Sequence, residues 1–422
     1  MDARNPRGTA DAATAERRTD GNHLAELGGD GGMKTTIGTH CTVTSSKRFH
    51  LSERAESGVP FFCSKQIIQL ENGEMPSDYD HITNEHFRDI QIKYGVPSAG
   101  DLLITTRGTY GIPYIYKERD CFYFADGNLT WLKDFDDCLS SHYLYYWFKS
   151  YEGQKKIDAI AKGTAQKAVP IALIKDLQLS LPPISQQKRI ASILSAYDDL
   201  IENNRRQIKL LEEAAQRLYR EWFVELRFPG HEGVKVVDGV PEGWKKQKLV
   251  DIADVQYGFA FDGKCFNNQR SGTPIIRIRN IPDGTTSDYT TESADSRYVV
   301  HNGEIVVGMD GEFHINTWNG EDAYLVQRTC CIRPTDKALN GWLLYAIYEP
   351  IKFYEKTVVG STVAHLGKKH VDTIELLTSP SNLYKPFVAL YKKRQVLLNQ
   401  NRKLSKARDH LLPKLMSREM EV

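Results

Sequence analysis

One offset constrains this chain more than any other feature: residues 163–218 lie over 360–415 with a constant shift of 197 and no gap. Gly163 falls on Gly360, Leu179 on Leu376, Pro183 on Pro380, Leu200 on Leu397, Asn204 on Asn401 and Leu218 on Leu415. Upstream the correspondence continues with small changes of offset. Gly100-Asp-Leu-Leu-Ile matches Gly303-Glu-Ile-Val-Val, Gly108 meets Gly311, and Gly58-Val-Pro-Phe-Phe-Cys-Ser-Lys-Gln-Ile matches Gly272-Thr-Pro-Ile-Ile-Arg-Ile-Arg-Asn-Ile. Each copy is a globule followed by a long helix. Two similar globules held at a set separation act as a ruler, and a ruler needs something long to measure.

With 422 residues the chain can hold two domains that each bury a core. The first 33 residues are charged and glycine-rich and carry no apolar segment, so they read as a disordered extension rather than a secretory signal. No run approaches the ~20 apolar residues a membrane span needs. The seven cysteines are scattered, with no Cys-x-x-Cys pair, which fits reduced thiols in a cytoplasm. Net charge is only +1, so any nucleic-acid contact must come from local basic groups.

Between Ile184 and Phe228 there is neither Gly nor Pro. Ile190, Leu194, Tyr197, Ile201, Asn204, Ile208, Leu211, Ala215, Leu218 and Trp222 alternate spacings of 4 and 3, a coiled-coil seam. Ser185 is a plausible cap, and Pro229-Gly230 end the helix. In the second copy Leu390, Leu397, Leu404 and Leu411 recur every seventh residue, with Arg394, Asn401 and Arg408 interleaved. Asn382 takes the cap position there, and Pro413 should bend or end the last turns. Each stripe could simply be a buried helix of its own globule. Two equivalent seams in one chain have a better partner in each other, antiparallel by connectivity, with Asn204 and Asn401 setting the register.

The expected class is α+β. A disordered extension (1–33) precedes a first globule (34–183) and a central helix (184–228), then a second globule (229–382) and a C-terminal helix (383–422). Strand expectations are Asp101–Thr106, Ile112–Tyr116, Ile275–Ile278, Glu304–Val307 and Thr329–Ile332, and the aromatic stretches Ser141–Ser150 and Trp342–Tyr348 read as amphipathic. Polar and basic residues gather in loops beside the repeated strands. In copy one these are Lys47, Arg48, Lys65, Gln66, Arg107, Tyr110, Thr164, Gln166 and Lys167. In copy two they are Lys264, Asn267, Arg270, Arg277, Arg279, Asn280, His314, Ser361 and Thr362. Such side chains read base edges and grip phosphates, although any one of them taken singly is an ordinary solvated loop residue. Aligned loops differ in content, with Arg107 against Asp310 and Cys63 against Arg277, as two sites of different specificity would.

Catalytic signatures are missing from the sequence. There is no Asn/Asp-Pro-Pro-Tyr/Phe methyltransferase motif and no Gly-x-Gly-x-x-Gly, and His81 and His86 among Asp78, Asp80 and Glu85 read as a solvated loop. Gly258-Phe-Ala-Phe-Asp-Gly-Lys264-Cys265 has the glycine and lysine spacing of a P-loop, but Cys265 replaces the Mg²⁺-binding hydroxyl. Phe259 and Phe261 are expected to pack on the core instead.

The order Gly100-Asp-Leu-Leu-Ile-Thr-Thr-Arg-Gly108, Gly163-Thr-Ala-Gln, Leu181-Pro-Pro-Ile-Ser-Gln-Gln187, Pro241-Glu-Gly-Trp244, Tyr257-Gly-Phe-Ala-Phe and Gly272-Thr-Pro-Ile-Ile resembles the DNA-specificity subunit of type I restriction–modification systems. The second copy departs at the strand-to-helix join, where Thr378-Ser-Pro-Ser-Asn-Leu-Tyr replaces the Leu-Pro-Pro-Ile-Ser-Gln-Gln type. The resemblance implies that each globule reads one half of a bipartite site on double-stranded DNA. The helix pair would fix the spacer and dock two modification methyltransferase subunits. This chain would then bind no cofactor and catalyse nothing: S-adenosylmethionine would sit on those partners, and ATP and Mg on a restriction/translocase subunit. The competing reading is a coiled-coil scaffold whose globules bind proteins and not DNA.

Overall fold

The computed structural model describes residues 33–163, 167–357 and 364–420, in two compact units. Of the described residues, one unit comprises those from Met33 to Ile193 together with those from Leu412 onward, and the other those between Leu194 and Leu411. Of the extension expected over 1–33 only Met33 is described, and it opens the strand Met33–Thr36.

In the first unit, four strands lie in the order Thr42–Thr44, Leu129–Lys133, Leu102–Thr105, Pro113–Ile115, all antiparallel. A second sheet places Val59–Phe62 between antiparallel Asp80–Ile82 and parallel Tyr123–Phe124. Met33–Thr36 pairs antiparallel with Gln178–Leu181. The core fills with Phe62, Ile67, Leu103 and Trp131 in one cluster and Phe49, Phe61, Ile82 and Tyr123 in another. Ser140 caps the aromatic helix Ser141–Lys149, which buries Tyr143, Leu144, Tyr146, Trp147 and Phe148.

The second unit repeats these pairings with the same senses. Ala253–Tyr257, Thr329–Pro334, Ile305–Gly308 and Ile315–Thr317 form its four-stranded antiparallel sheet. Thr273–Ile276 lies between antiparallel Tyr289–Thr290 and parallel Ala323–Leu325, and Lys245–Lys248 pairs with Glu375–Thr378. The repeat seen in the letters is therefore a repeat of strand pairing. Gly58 and Gly272 show why the same residue recurs: their φ values are +132° and +88°. A Cβ would come within 2.2 Å of the Ile82 carbonyl oxygen in one and 2.1 Å of the Thr290 carbonyl oxygen in the other.

The first long helix runs Ile184–Tyr219 and adds a π-turn, Arg220–Val224, stopping short of the expected Phe228. Phe223 is the reason: it is drawn into the core of the second unit with Trp244, Trp342, Tyr384 and Phe387. Ser185 falls inside the first turn rather than at the cap. The second long helix runs Lys385–Met416, entered through a 3₁₀ turn, Ser381–Tyr384, that contains Asn382. It continues past Pro413, so that proline does not end it at once.

Within Leu194–Leu411 the two helices pair antiparallel. Asp198 meets Arg408 at 2.5 Å, the Asn204 amide donates to Asn401 Oδ1 at 2.9 Å, and Arg394 meets Glu212 at 2.6 Å. Asn401 also donates to the Ile201 carbonyl. Ile190, Leu194, Ile201, Asn204, Ile208, Ala215, Arg394, Leu397 and Leu415 are buried, which follows the seam. Because Asn204 and Asn401 are equivalent in the repeat, their mutual bond marks a pseudo-twofold axis across the pair.

Candidate nucleic-acid interface

Five of the candidate residues, Lys65, Gln66, Arg277, Arg279 and Asn280, fall on one recurring device. In copy one the Gln66 amide oxygen accepts from the Cys63 N–H at 3.0 Å, and its nitrogen donates to the carbonyls of Ser77 and Asp78. In copy two Asn280 Oδ1 accepts from the Arg277 N–H at 2.8 Å, and Nδ2 donates to Asp288. Both side chains are buried. Gln66 and Asn280 therefore build the turn and do not reach outward, whereas the residues they hold do.

Lys65 and Arg279, equivalent in the two turns, are exposed and each is latched to an acid. Lys65 Nζ lies 2.8 Å from Asp78, and Arg279 grips Asp288 through Nε at 3.1 Å and Nη2 at 2.5 Å. The hydrogen bond from Lys65 holds the Asp78 carboxyl below its usual range. Burial alone would raise Asp288, yet the hydrogen bonds from Arg279 and Asn280 keep it below. A latched arginine is pre-oriented, and its planar fork can exchange a carboxylate for a base edge or a phosphate. Arg277 lies beside it with its guanidinium 5.5 Å from the Phe266 ring centroid.

A second device sits at the turn after the central strand. Arg107 bridges Ala168 in copy one, and Asp310 bridges His365 at the matching place in copy two. These bridges bring the Arg107 and Tyr110 loop next to exposed Lys167. In copy two Asp310 is held by His365 at 2.5 Å and by Arg328 at 3.4 Å, and Arg328 adopts a left-handed φ of +68°. Sequence reading missed Arg328 and His365, because only the fold brings them to Asp310.

The remaining candidates are dispersed. Lys47 is half-buried, its ammonium 5.3 Å from the Tyr94 ring centroid, and Arg48 next to it is exposed. Asn267 closes its own loop through Ser271, leaving Arg270 exposed at φ +60°. Lys264 is exposed on a short 3₁₀ turn, and His314 lies 3.6 Å from Glu312. Thr164, Gln166, Ser361 and Thr362 lie outside the described residues. The P-loop-like stretch does not cradle anything: Phe261 is buried and Phe259 packs beside it, as expected, and a Cβ at Gly258 would strike the Val326 carbonyl at 2.0 Å. Of the two loop histidines, His81 is held in the strand Asp80–Ile82 and His86 lies 3.8 Å from Glu53. Among the described residues His40, Asp136 and Cys138 approach one another, but both His40 nitrogens are taken, by Asp136 at 2.8 Å and Thr35 at 2.9 Å. That is a clasp for the first strand.

Two copies of one strand topology, each presenting differently charged turns, with paired seam helices, match a described family. Residues 34–213 and 241–381 match the type I restriction modification DNA specificity domain, and the chain belongs to that family. It is 24% identical over 387 residues to the type I restriction enzyme MjaIX specificity subunit of Methanocaldococcus jannaschii, covering 86% of this chain and 87% of that one. It is 31% identical over 180 residues to the EcoBI specificity subunit of Escherichia coli, 42% of this chain and 37% of that one. Among solved structures, the type I restriction–modification S subunit from M. genitalium aligns with TM-score 0.56 at 16% identity, covering 91% of this chain and 95% of that one.

Proposed function

We propose that this chain is the sequence-reading subunit of a type I restriction–modification complex, each globule reading one half of a bipartite duplex site. The observation that carries this reading is the recurring turn built by Gln66 and by Asn280. One hydrogen-bonded frame presents Cys63 and Lys65 in copy one and Arg277 and Arg279 in copy two. A shared frame with different side chains is what two half-sites of unlike sequence require. The helix pair fixes the unread spacer and docks two methyltransferase subunits. S-adenosylmethionine-dependent methylation of adenine, and any ATP- and Mg-dependent cleavage, belong to partner subunits. No reaction step is assigned to this chain. Membership of the specificity family disfavours the protein-binding scaffold.

The test uses the complex reconstituted with its methyltransferase subunits, by mapping methylated adenines on a random-sequence duplex library. A bipartite motif with a fixed gap is expected. Arg277→Ala with Arg279→Ala should relax one half-site only, by about 10- to 100-fold per lost base contact. Equal loss across all sequences would assign both arginines to phosphates, and no sequence preference in the wild-type complex would refute the function.

A further inference from the structure

We propose that the helix pair is itself a phosphate-binding element, with a groove on its pseudo-twofold axis that takes the sugar–phosphate backbone of the spacer between the half-sites. This rests on the DNA-reading function above and adds a contact where no base is read. The groove holds about 510 Å³; the two helices line most of it, and Asp283, Thr285 and Asn319 of the second globule close one side.

The repeat places its charges. Arg205 and Arg402 are equivalent, as are Lys209 and Lys406, and all four line the groove. The bond between Asn204 and Asn401 puts the axis between them, so the two cation pairs converge from the two helices. Arg205 and Lys209 are exposed and Arg402 is half-buried, and among the described residues none of the three makes a hydrogen bond or ion pair. Lys406 is paired with Glu321, whose carboxyl is held low chiefly by that lysine and to a lesser degree by Arg402.

The carboxylates of the lining do not cancel these charges. Glu212 is engaged by Arg394, Asp409 shares Arg408 with Asp198, and among the described residues Asp283 makes no ion pair. The three unpaired cations therefore outnumber the two lining carboxylates, Asp283 and Asp409, that have no arginine to themselves. None of the three unpaired cations holds a seam position, so neither helix packing nor the pairing bonds explain their presence.

Symmetry favours a duplex as the occupant over an acidic polypeptide. The two antiparallel strands of DNA are themselves related by local twofold axes, and they present phosphates equally to two cation pairs related by such an axis. A single acidic helix has no such symmetry. Arginine's fork suits a phosphodiester, and such contacts carry no sequence information.

The experiment compares wild-type complex, with methyltransferase subunits bound, against Arg205→Gln/Lys209→Gln/Arg402→Gln on a duplex bearing the mapped motif. Affinity is measured across a salt series, and phosphate ethylation interference is read through the spacer. Wild type should show interference at central spacer phosphates. In the triple variant that interference should vanish and the slope of log affinity against log salt should flatten by up to about 2.7, at about 0.9 for each of the three lost contacts. The methylated motif should stay the same, and Arg205→Lys/Arg402→Lys should keep the slope. Unchanged slope with no spacer interference in wild type overturns the proposal. So does a triple variant that sheds methyltransferase subunits while its DNA contacts persist, since the groove would then hold polypeptide. A wild-type complex with no salt-dependent duplex binding would bring down the recognition function itself, and this inference with it.

Discussion

Asp288 gathers the turn that carries Arg277 and Arg279 in the second copy onto one carboxylate. It accepts from Arg279 and Asn280, and Arg277 also lowers its proton affinity. Its folded pKa lies below the unfolded one, near ~3.9 for a free Asp, so folding is favoured by this group above that value. The contribution is lost as pH falls through the lowered folded pKa. Asp288→Asn should therefore lower the urea midpoint at pH 7. It should also shrink the wild-type loss of stability on acidification from about pH 5 to about pH 3. Equal acid sensitivity in both proteins would show that the latch does not stabilise the turn. The acid sensitivity belongs to the turn that presents Arg277 and Arg279, so selectivity at that half-site should fade before global unfolding.

Residue-level reading of the sequence succeeded where a residue's role depends on its neighbours in the chain, and failed where it depends on distant ones. Arg107, Lys167 and Arg279 are exposed as expected, because they sit in glycine-punctuated loops beside strands. Gln66 and Asn280 look the same in the sequence, yet the fold turns them inward to satisfy backbone groups at the head of a turn. An amide near a strand end can read a base or cap a turn, and composition does not separate the two. Arg328 and His365 were invisible for the converse reason: Asp310 meets them only because the sheet brings chain segments 18 and 55 residues away to one corner.

At the scale of the element, the seam period and both asparagines were legible because a 3.5-residue repeat over many turns has few other meanings. The π-turn at Arg220–Val224 was not, since it answers a tertiary demand: Phe223 must enter a core supplied by residues up to 164 positions later. We propose that the Asn204–Asn401 bond costs stability relative to apolar packing and fixes alignment in return. Asn204→Leu with Asn401→Leu should raise the melting temperature, by about 2–4 °C for each kcal/mol gained. The same protein should accept spacers one base pair longer or shorter with less discrimination. A double variant that melts earlier refutes the register role.

For the whole molecule, the ruler reading makes a metric demand. Removing one heptad from each helix in register shortens the pair by about 10 Å, roughly three base pairs of B-form duplex. The preferred spacer in the methylation map should contract by that amount with both half-sites unchanged. A spacer of unaltered length would mean that something other than the helices sets the distance.

The ion pairs at the seam make the two halves of this chain unequal. Arg394 and Arg408 both belong to the second helix, and Asp198 and Glu212, which neutralise them, both belong to the first. Tyr197 and Leu211 stand where the repeat would put arginines on the first helix. A free second half meeting its own twin would oppose guanidinium to guanidinium on either side of the asparagine pair, whereas two first halves would meet Tyr against Leu. Pairing of a half from one such chain with a half from another therefore requires that one rod bring the arginines and the other the acids.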